Sequence, residues 1–130
     1  MTFTKALYNH IKTGSGLSIY YGSANDKQPP YYVMLTVSES GQPTAMCETQ
    51  ANSGELRVQF SYSGSTGAGG AEDALETLRI FVIAIIGNII YSGNTYQVWE
   101  NLTTGIRPIG GASYNTWDAI FESTLKWKKI

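Results

Sequence analysis

His10 is the only histidine and Cys47 the only cysteine in 130 residues, so acid–base or nucleophilic chemistry would have to be built around single copies of its usual agents. His10 stands near Lys12, with no serine, cysteine or carboxylate at a spacing that suggests a triad. It reads as a histidine at the surface or at the edge of the core. One cysteine permits neither an internal disulfide nor a cysteine-built metal cage. No two other candidate ligands fall at helical or turn spacing with His10. Glu72 and Glu76 are four residues apart, as on one helix face, but near a helix start where two acids are ordinarily solvated rather than coupled for proton transfer. No catalytic, cofactor or metal residues are expected, and the chain is not expected to be an enzyme.

The strongest imitation of a ligand motif lies between Arg57 and Arg79. The alternating strand Arg57-Val-Gln-Phe-Ser-Tyr62 leads into the glycine loop Gly64-Ser-Thr-Gly-Ala-Gly-Gly70 and then into a helix beginning at Ala71. A phosphate loop needs lysine and a hydroxyl after its last glycine; here Gly70 and Ala71 occupy those places. A dinucleotide loop needs a third glycine where Glu72 stands. Glu72, Asp73 and Glu76 place negative charge where a phosphate would sit, although they suit the first turns of a helix. The loop reads as a connection before a well-capped helix.

Composition narrows the choice further. Charged residues are 15% of the chain and the net charge is −1, which gives no general attraction to nucleic acid or to an anionic membrane. The first residues, Met-Thr-Phe-Thr-Lys, lack a basic stretch followed by an apolar run, so no secretory leader is expected. Asn101-Leu-Thr103 therefore reads as a chance sequon. The apolar run Ile80–Ile86 is far short of the roughly 20 residues that cross a bilayer.

The elements expected to position these residues follow from periodicity. Phe3, Ala6, Leu7, Tyr8 and Ile11 recur at helical spacing, with Thr2 or Thr4 as cap and a stop at Gly14-Ser-Gly16. Strands are expected at 17–21, at 31–38 (Val33, Leu35 and Val37 opposite Met34, Thr36 and Ser38), at 57–62, at 96–100 and at 117–128. In the last of these Phe121, Leu125 and Trp127 share a face with Ser123. The polar stretch Glu39–Ser53 is expected to be a long hairpin loop or a flexible arm, and 101–113 an irregular segment. No repeat or linker divides the chain, so residues 1–130 form a single domain. The expected fold class is α+β, a mostly antiparallel β-sheet with two helices packed on one face, one short and N-terminal, the other longer and central.

That central helix carries the clearest functional signal. From Ile80 to Ile86 no polar residue occurs, so no side of it is left for water. One sheet covers only one side; the remainder must meet other elements or another copy. Nine tyrosines and three tryptophans add amphipathic rings of the kind enriched at interfaces. Rings also stack on sugars or unpaired bases, but base stacking wants a basic groove that this charge balance denies. Phe81, Ile85, Ile89, Trp99 and Trp117 are the candidates for the core and intersubunit boundary. Both features point to an assembly subunit before an enzyme.

The succession of Phe3-Thr-Lys-Ala-Leu-Tyr-Asn-His-Ile-Lys12, Leu17-Ser-Ile-Tyr-Tyr-Gly22, Gln28-Pro-Pro-Tyr-Tyr-Val33, Arg57–Tyr62 before an alanine-rich helix, Gly105-Ile-Arg107 and Trp117–Lys128 resembles the tail-terminator (tail-completion) proteins of long-tailed bacteriophages. The resemblance lies in the order and spacing of these blocks from Phe3 to Lys128. It implies a non-enzymatic virion subunit, assembled in the host cytoplasm, that forms a ring, usually six-fold. Such a ring caps the head-proximal end of the tail tube, stops its polymerisation and joins it to the neck or head-completion protein. Genomic DNA would pass through the lumen without specific binding, and no membrane is involved. Glu39, Gln42, Thr44, Glu48, Gln50 and Asn52 form the candidate tube- or lumen-facing loop. Two alternatives remain open: another neck component, such as a head-completion or stopper protein, and a small β-rich carbohydrate-binding module.

Overall fold

A computed structural model describes residues 2–22, 30–42, 53–64, 67–110 and 117–130. The first helix, α1 (Thr2–Ser15), buries Phe3, Ala6, Leu7 and Ile11, the spacing that places side chains on one face. It stops at Gly16, whose φ of +69° is the left-handed conformation that ends many helices. Short β1 (Ile19–Tyr21) follows, then β2 (Tyr31–Gln42) and β3 (Ser53–Gly64). The second helix, α2 (Gly67–Ile83), is succeeded by β4 (Gly87–Tyr91), β5 (Asn94–Thr103), β6 (Arg107–Gly110) and β7 (Trp117–Lys129).

All seven strands belong to one sheet in the order β1-β2-β3-β7-β5-β4, with β6 added to β7. Strand β7 is the spine. Along one edge it pairs with β3 from Gly64↔Trp117 to Ser53↔Lys128. Its other edge is divided, β6 taking Asp118–Ile120 and β5 taking Ser123–Lys129. The hairpin from β4 to β5 turns through Ser92 and Gly93, both at positive φ (51° and 80°), the geometry of a two-residue turn matched to strand twist.

The expected fold class is corrected here. Strand accounts for 57% of the described residues, and the sheet is a curled, mixed half-barrel that is not purely antiparallel. The mixed character comes from β1, which runs parallel to Tyr32–Met34 of β2. Side-chain alternation carries no information about strand direction, so nothing in the residues announced it. The strand content was underestimated for a different reason. Glu39–Gln42 and Ser53–Leu56 pair with each other despite few apolar residues, because β3 is already held on its other edge by β7. Residues 101–103 and 107–110 are likewise drawn into the sheet by β7. Bulges at Thr36/Ser38, Val98/Glu100 and Pro108/Gly110 add local bend and twist.

Both helices do lie on one face, the concave one, and share a single core with it. The inward ridge of the sheet is Leu56, Val58, Phe60 and Tyr62 on β3 with Ala119, Phe121, Leu125 and Trp127 on β7. Phe60 and Phe121, cross-strand partners, stack at 5.0 Å between centroids. Phe3 of α1 stacks on Trp127 at 4.8 Å, and Leu75, Leu78 and Val82 of α2 fill the same core. Helix α2 begins at Gly67 rather than Ala71, so Glu72 and Asp73 stand in its second turn. On β2 the buried side chain is Met34, while Leu35 and Val37 are exposed.

Phe121→Ala would remove a ring held between sheet and helices. The expected loss is about 3–5 kcal/mol of stability, read as a lowered denaturant midpoint with unchanged slope.

Candidate functional site

A helix packed in a curled sheet has one buried face, and in α2 that face is Ala71, Leu75, Leu78 and Val82, continued beyond the helix by Ile85. The opposite side changes character along the helix. Near its start it carries Glu72, Asp73, Glu76 and Thr77; towards its end it carries Ile80 and Ile83, with Ile86 just past it. These three isoleucines are exposed at 62%, 46% and 63% of their surface. They form an apolar ledge, and Ile80 and Ile86 with Phe81, Ala84, Ile85 and Ile89 line a cleft of about 360 Å³. Apolar ledges of this kind on a single copy commonly mark interaction sites.

Polar bonding fixes the ledge in place. Carbonyls at a helix end lack intrahelical partners, and Asn101 of β5 supplies a donor there: its Nδ2 donates to Val82 O at 2.9 Å, which also accepts from Ile85 N–H at 3.0 Å, and to Ile85 O just past the helix at 3.2 Å. Thr103 Oγ1 donates to Asn101 Oδ1 at 2.9 Å and lies 2.8 Å from Ser123 Oγ. A hydroxyl has one proton, so Ser123 is the donor in that second bond. The fully buried Ser123, out of place on an apolar strand face, is thus one end of a chain that holds the helix terminus. The apparent sequon residue Asn101 has a structural use.

His10 of α1 lines the same cleft, its ring 5.7 Å from that of Phe81. Burial lowers its pKa from the ordinary value of 6.5. It has neither a nucleophile nor a carboxylate in the cleft, whose remaining polar member is Asn88. A Cβ at Gly14 would come within 2.6 Å of Phe81 Cζ, so a larger residue there requires the Phe81 ring to shift.

The residues expected at the core and intersubunit boundary separate. Ile85 and Ile89 are buried, and Phe81 is half-buried at the cleft. Trp99 is 55% exposed; it follows Val98, the partner of Gly87, and stands beside Lys126, whose Nζ is 5.4 Å from the ring centroid and 3.0 Å from Glu100 Oε2. That bond and charge raise the Lys126 pKa. Trp99 and Lys126 border a separate cleft of about 570 Å³ with Ser40, Ser53 and Glu55. Trp117 opens β7 opposite Gly64; its side chain lies outside the described residues. Of the candidate loop, Glu39 and Gln42 are on β2, opposite Leu56 and Ser53. Thr44, Glu48, Gln50 and Asn52 lie outside the described residues, as does Cys47.

The ledge residues Ile80, Ile83 and Ile86 were inside the apolar run but not singled out. The signal was present: once Leu75, Leu78, Val82 and Ile85 are taken as the inward ridge, Ile80 and Ile83 fall on the far side. Elsewhere, a cleft of about 300 Å³ at the gap between β5 and β6 is lined by Arg57, Thr104, Gly105, Arg107 and Glu122. Its Arg57 is held by Glu122 at 2.7 Å. No group of three or more metal-ligating side chains occurs among the described residues, and no described helix is long and apolar enough to cross a membrane.

No family model matches the chain, and no curated protein matches it. Among solved structures 18 chains match. One, a protein designated only by a sequence identifier, superposes with a TM-score of 0.51 over 98% of this chain and 90% of that chain, at 12% identity. At that identity the likeness concerns the fold alone.

Asn101→Ala would remove the side-chain donor from both carbonyls, leaving Val82 O with the Ile85 N–H. It is expected to lower stability by about 1–3 kcal/mol in denaturant titration. A histidine whose folded pKa is depressed binds its proton more readily in the unfolded chain. Its effect on stability is therefore most favourable above pH 6.5 and declines as pH falls below that value, levelling off once the folded form is also protonated. His10→Gln should flatten this part of the profile when denaturant midpoints are compared between pH 7.5 and pH 5.

Proposed function

We propose that this chain is a self-assembling structural subunit of the tail-terminator kind. Copies form a ring, six-fold in the usual form of such rings, that closes the head-proximal end of a phage tail tube, stops its growth and joins it to the neck. The subunit works in the virion, assembles in the host cytoplasm, and lets genomic DNA pass without binding it specifically. It is a non-enzymatic part. The observation that carries this reading is the apolar ledge of Ile80, Ile83 and Ile86, braced from behind by the Asn101–Thr103–Ser123 chain. A rigid, oily surface at the end of a helix is suited to burial against another copy, and aliphatic side chains there need no chemistry beyond fit. The resemblance of the sequence blocks to terminator proteins supplies the kind of assembly.

A second reading, a small carbohydrate-binding module, is favoured by Trp99 standing exposed beside Lys126 at the rim of an open cleft. It requires glycan binding by a monomer, lost in Trp99→Ala.

Sedimentation velocity across a concentration range tests the ring. The expected outcome is a mass rising to a closed oligomer, with Ile80→Asp and Ile83→Asp each weakening association at least about thirty-fold, as loss of an interface anchor does. A monomer at all concentrations, alone and with purified tail tubes, would refute it. Pull-down with tail tubes against DNA-filled heads separates the terminator from a head-completion or stopper protein, since binding to heads alone would favour the latter.

A further inference from the structure

Strand β7 has a break along its outer edge. Strand β6 pairs with Asp118–Ile120 and β5 with Ser123–Lys129, so Phe121 and Glu122 have no strand beside them there. One residue bridges the break. Thr104 N–H donates to Glu122 O at 2.8 Å, and Glu122 N–H donates to Thr104 Oγ1 at 2.9 Å. Thr104 O in turn accepts from Arg79 Nε of α2 at 2.8 Å. The chain between β5 and β6 is thus tied to the sheet and to a helix, and it braces one wall of the notch of about 300 Å³ beside it.

Face and charge decide what the notch can hold. Leu56, Val58, Phe121 and Ser123 are buried on the inward face, so by alternation Arg57 and Glu122 stand on the convex face, away from the helices. Arg107 is the cross-strand partner of Ile120 and shares that face with it. Arg57 reaches the notch from β3 and Arg107 from β6, on opposite sides of β7, and buried Ile120 supplies apolar surface between them. Glu122 Oε2 accepts from Arg57 Nε at 3.1 Å and from Arg57 Nη2 at 2.7 Å. These bonds orient that guanidinium and leave its Nη1 without a partner among the described residues. Arg107 is exposed and has no ion pair with any described residue. Two guanidinium groups against one carboxylate give the lining a net charge of +1, in a chain whose total is −1.

Unused arginine donors beside an apolar wall match a carboxylate carried on an apolar stem. A guanidinium presents parallel N–H groups at the spacing of the two carboxylate oxygens, and Ile120 gives the stem a surface to lie against. A monoanion balances the net charge, whereas a phosphate dianion exceeds it and meets Glu122. Sugars fit less well, since the one ring in the lining, Phe121, is 1% exposed and offers no stacking face.

We propose that this notch binds a carboxylate group on a short apolar stem. Arg107 takes the carboxylate in a two-point hydrogen bond, and Arg57, oriented by Glu122, adds a donor from the other side of β7. A free small carboxylate and the carboxylate of a polypeptide offer the same group. The Arg57 side chain is 50% exposed, so water competes and affinity for a simple carboxylate is in the millimolar range. The site lies on the face of the sheet opposite α2 and its ledge, and it does not depend on self-association.

NMR titration of the full chain at constant ionic strength tests this, with butyrate, butyramide and inorganic phosphate as probes. Butyrate is expected to give saturable shifts at the Gly105, Arg107 and Glu122 amides and at the Nε of both arginines. Butyramide, close in shape but uncharged, is expected to give none. Arg107→Gln should weaken butyrate at least about ten-fold, and Arg107→Lys should recover only part of that, because lysine keeps the charge and loses the fork. The comparison of butyrate with butyramide on the unsubstituted chain needs no variant to fold. A short peptide with a free C-terminal carboxylate, set against its amidated form, separates the sources. Carboxylate-dependent binding tighter than that of butyrate marks a polypeptide and binding no tighter marks a small molecule, and either result retains the site. Absence of a saturable shift, equal shifts with butyramide, an unchanged titration of Arg107→Gln, or tighter binding of phosphate than of butyrate would each overturn the assignment.

Discussion

The structure depends on β7 being paired along both edges while its inward side chains are covered. On one side it holds β3 for twelve successive pairs, and on the other it holds β5 and β6 in turn. Backbone groups in that position are costly to leave unpaired, so stretches such as Asn101–Thr103 and Arg107–Gly110 are recruited as strands although their residues do not ask for it. The same strand carries Phe121, Leu125 and Trp127 inward, against Phe60 and Phe3. Pairing and burial therefore coincide on one segment. The curl of the sheet around two helices follows from having a long central strand with a divided outer edge and bulges in the neighbours that fill it.

This arrangement spends the inward-facing residues of α2 and leaves the outward ones over. Leu75, Leu78 and Val82 fill the concave side together with Phe3, Leu7 and Ile11 of α1. Ile80 and Ile83 stay largely outside the core of a single copy, and the assembly proposed above would give them a use. The buried chain Ser123–Thr103–Asn101 shows how firmly the ledge is positioned: three polar side chains in or near the core hold two carbonyls at the helix end. Rigid positioning of an apolar surface lowers the entropy lost on association, which is the physical link between the internal packing and the proposed assembly.

Some of this could be read before any coordinates. The alternation in Arg57–Tyr62 and in Trp117–Lys128 places Phe60, Phe121, Leu125 and Trp127 on inward faces, and the structure agrees, because period-two patterning with large residues has one economical burial. Helix α1 was legible from Phe3 to Ile11 and its glycine stop. The polar arms of β2 and β3 were not, since their pairing is induced by neighbours rather than by their own side chains. The sense of β2 was also misleading: Val33, Leu35 and Val37 look like an inward set, yet Met34 is the buried member, as its partner Phe60 requires. Within the candidate site the apolar run Ile80–Ile86 was visible at once. Its division into buried Val82 and Ile85 and exposed Ile80, Ile83 and Ile86 needed the position of the sheet.

By itself the sequence determined which segments are oily, which alternate and where glycine ends a helix. These are local properties, set by residue type and by spacing along the chain. Tertiary structure alone decided the direction of β1, the division of β7's outer edge, the use of Asn101 as a cap, and which isoleucines face outward. Each of those depends on a partner distant in sequence, and the energy that selects it (a completed ladder, a satisfied carbonyl, a filled concavity) exists only once the partner is in place.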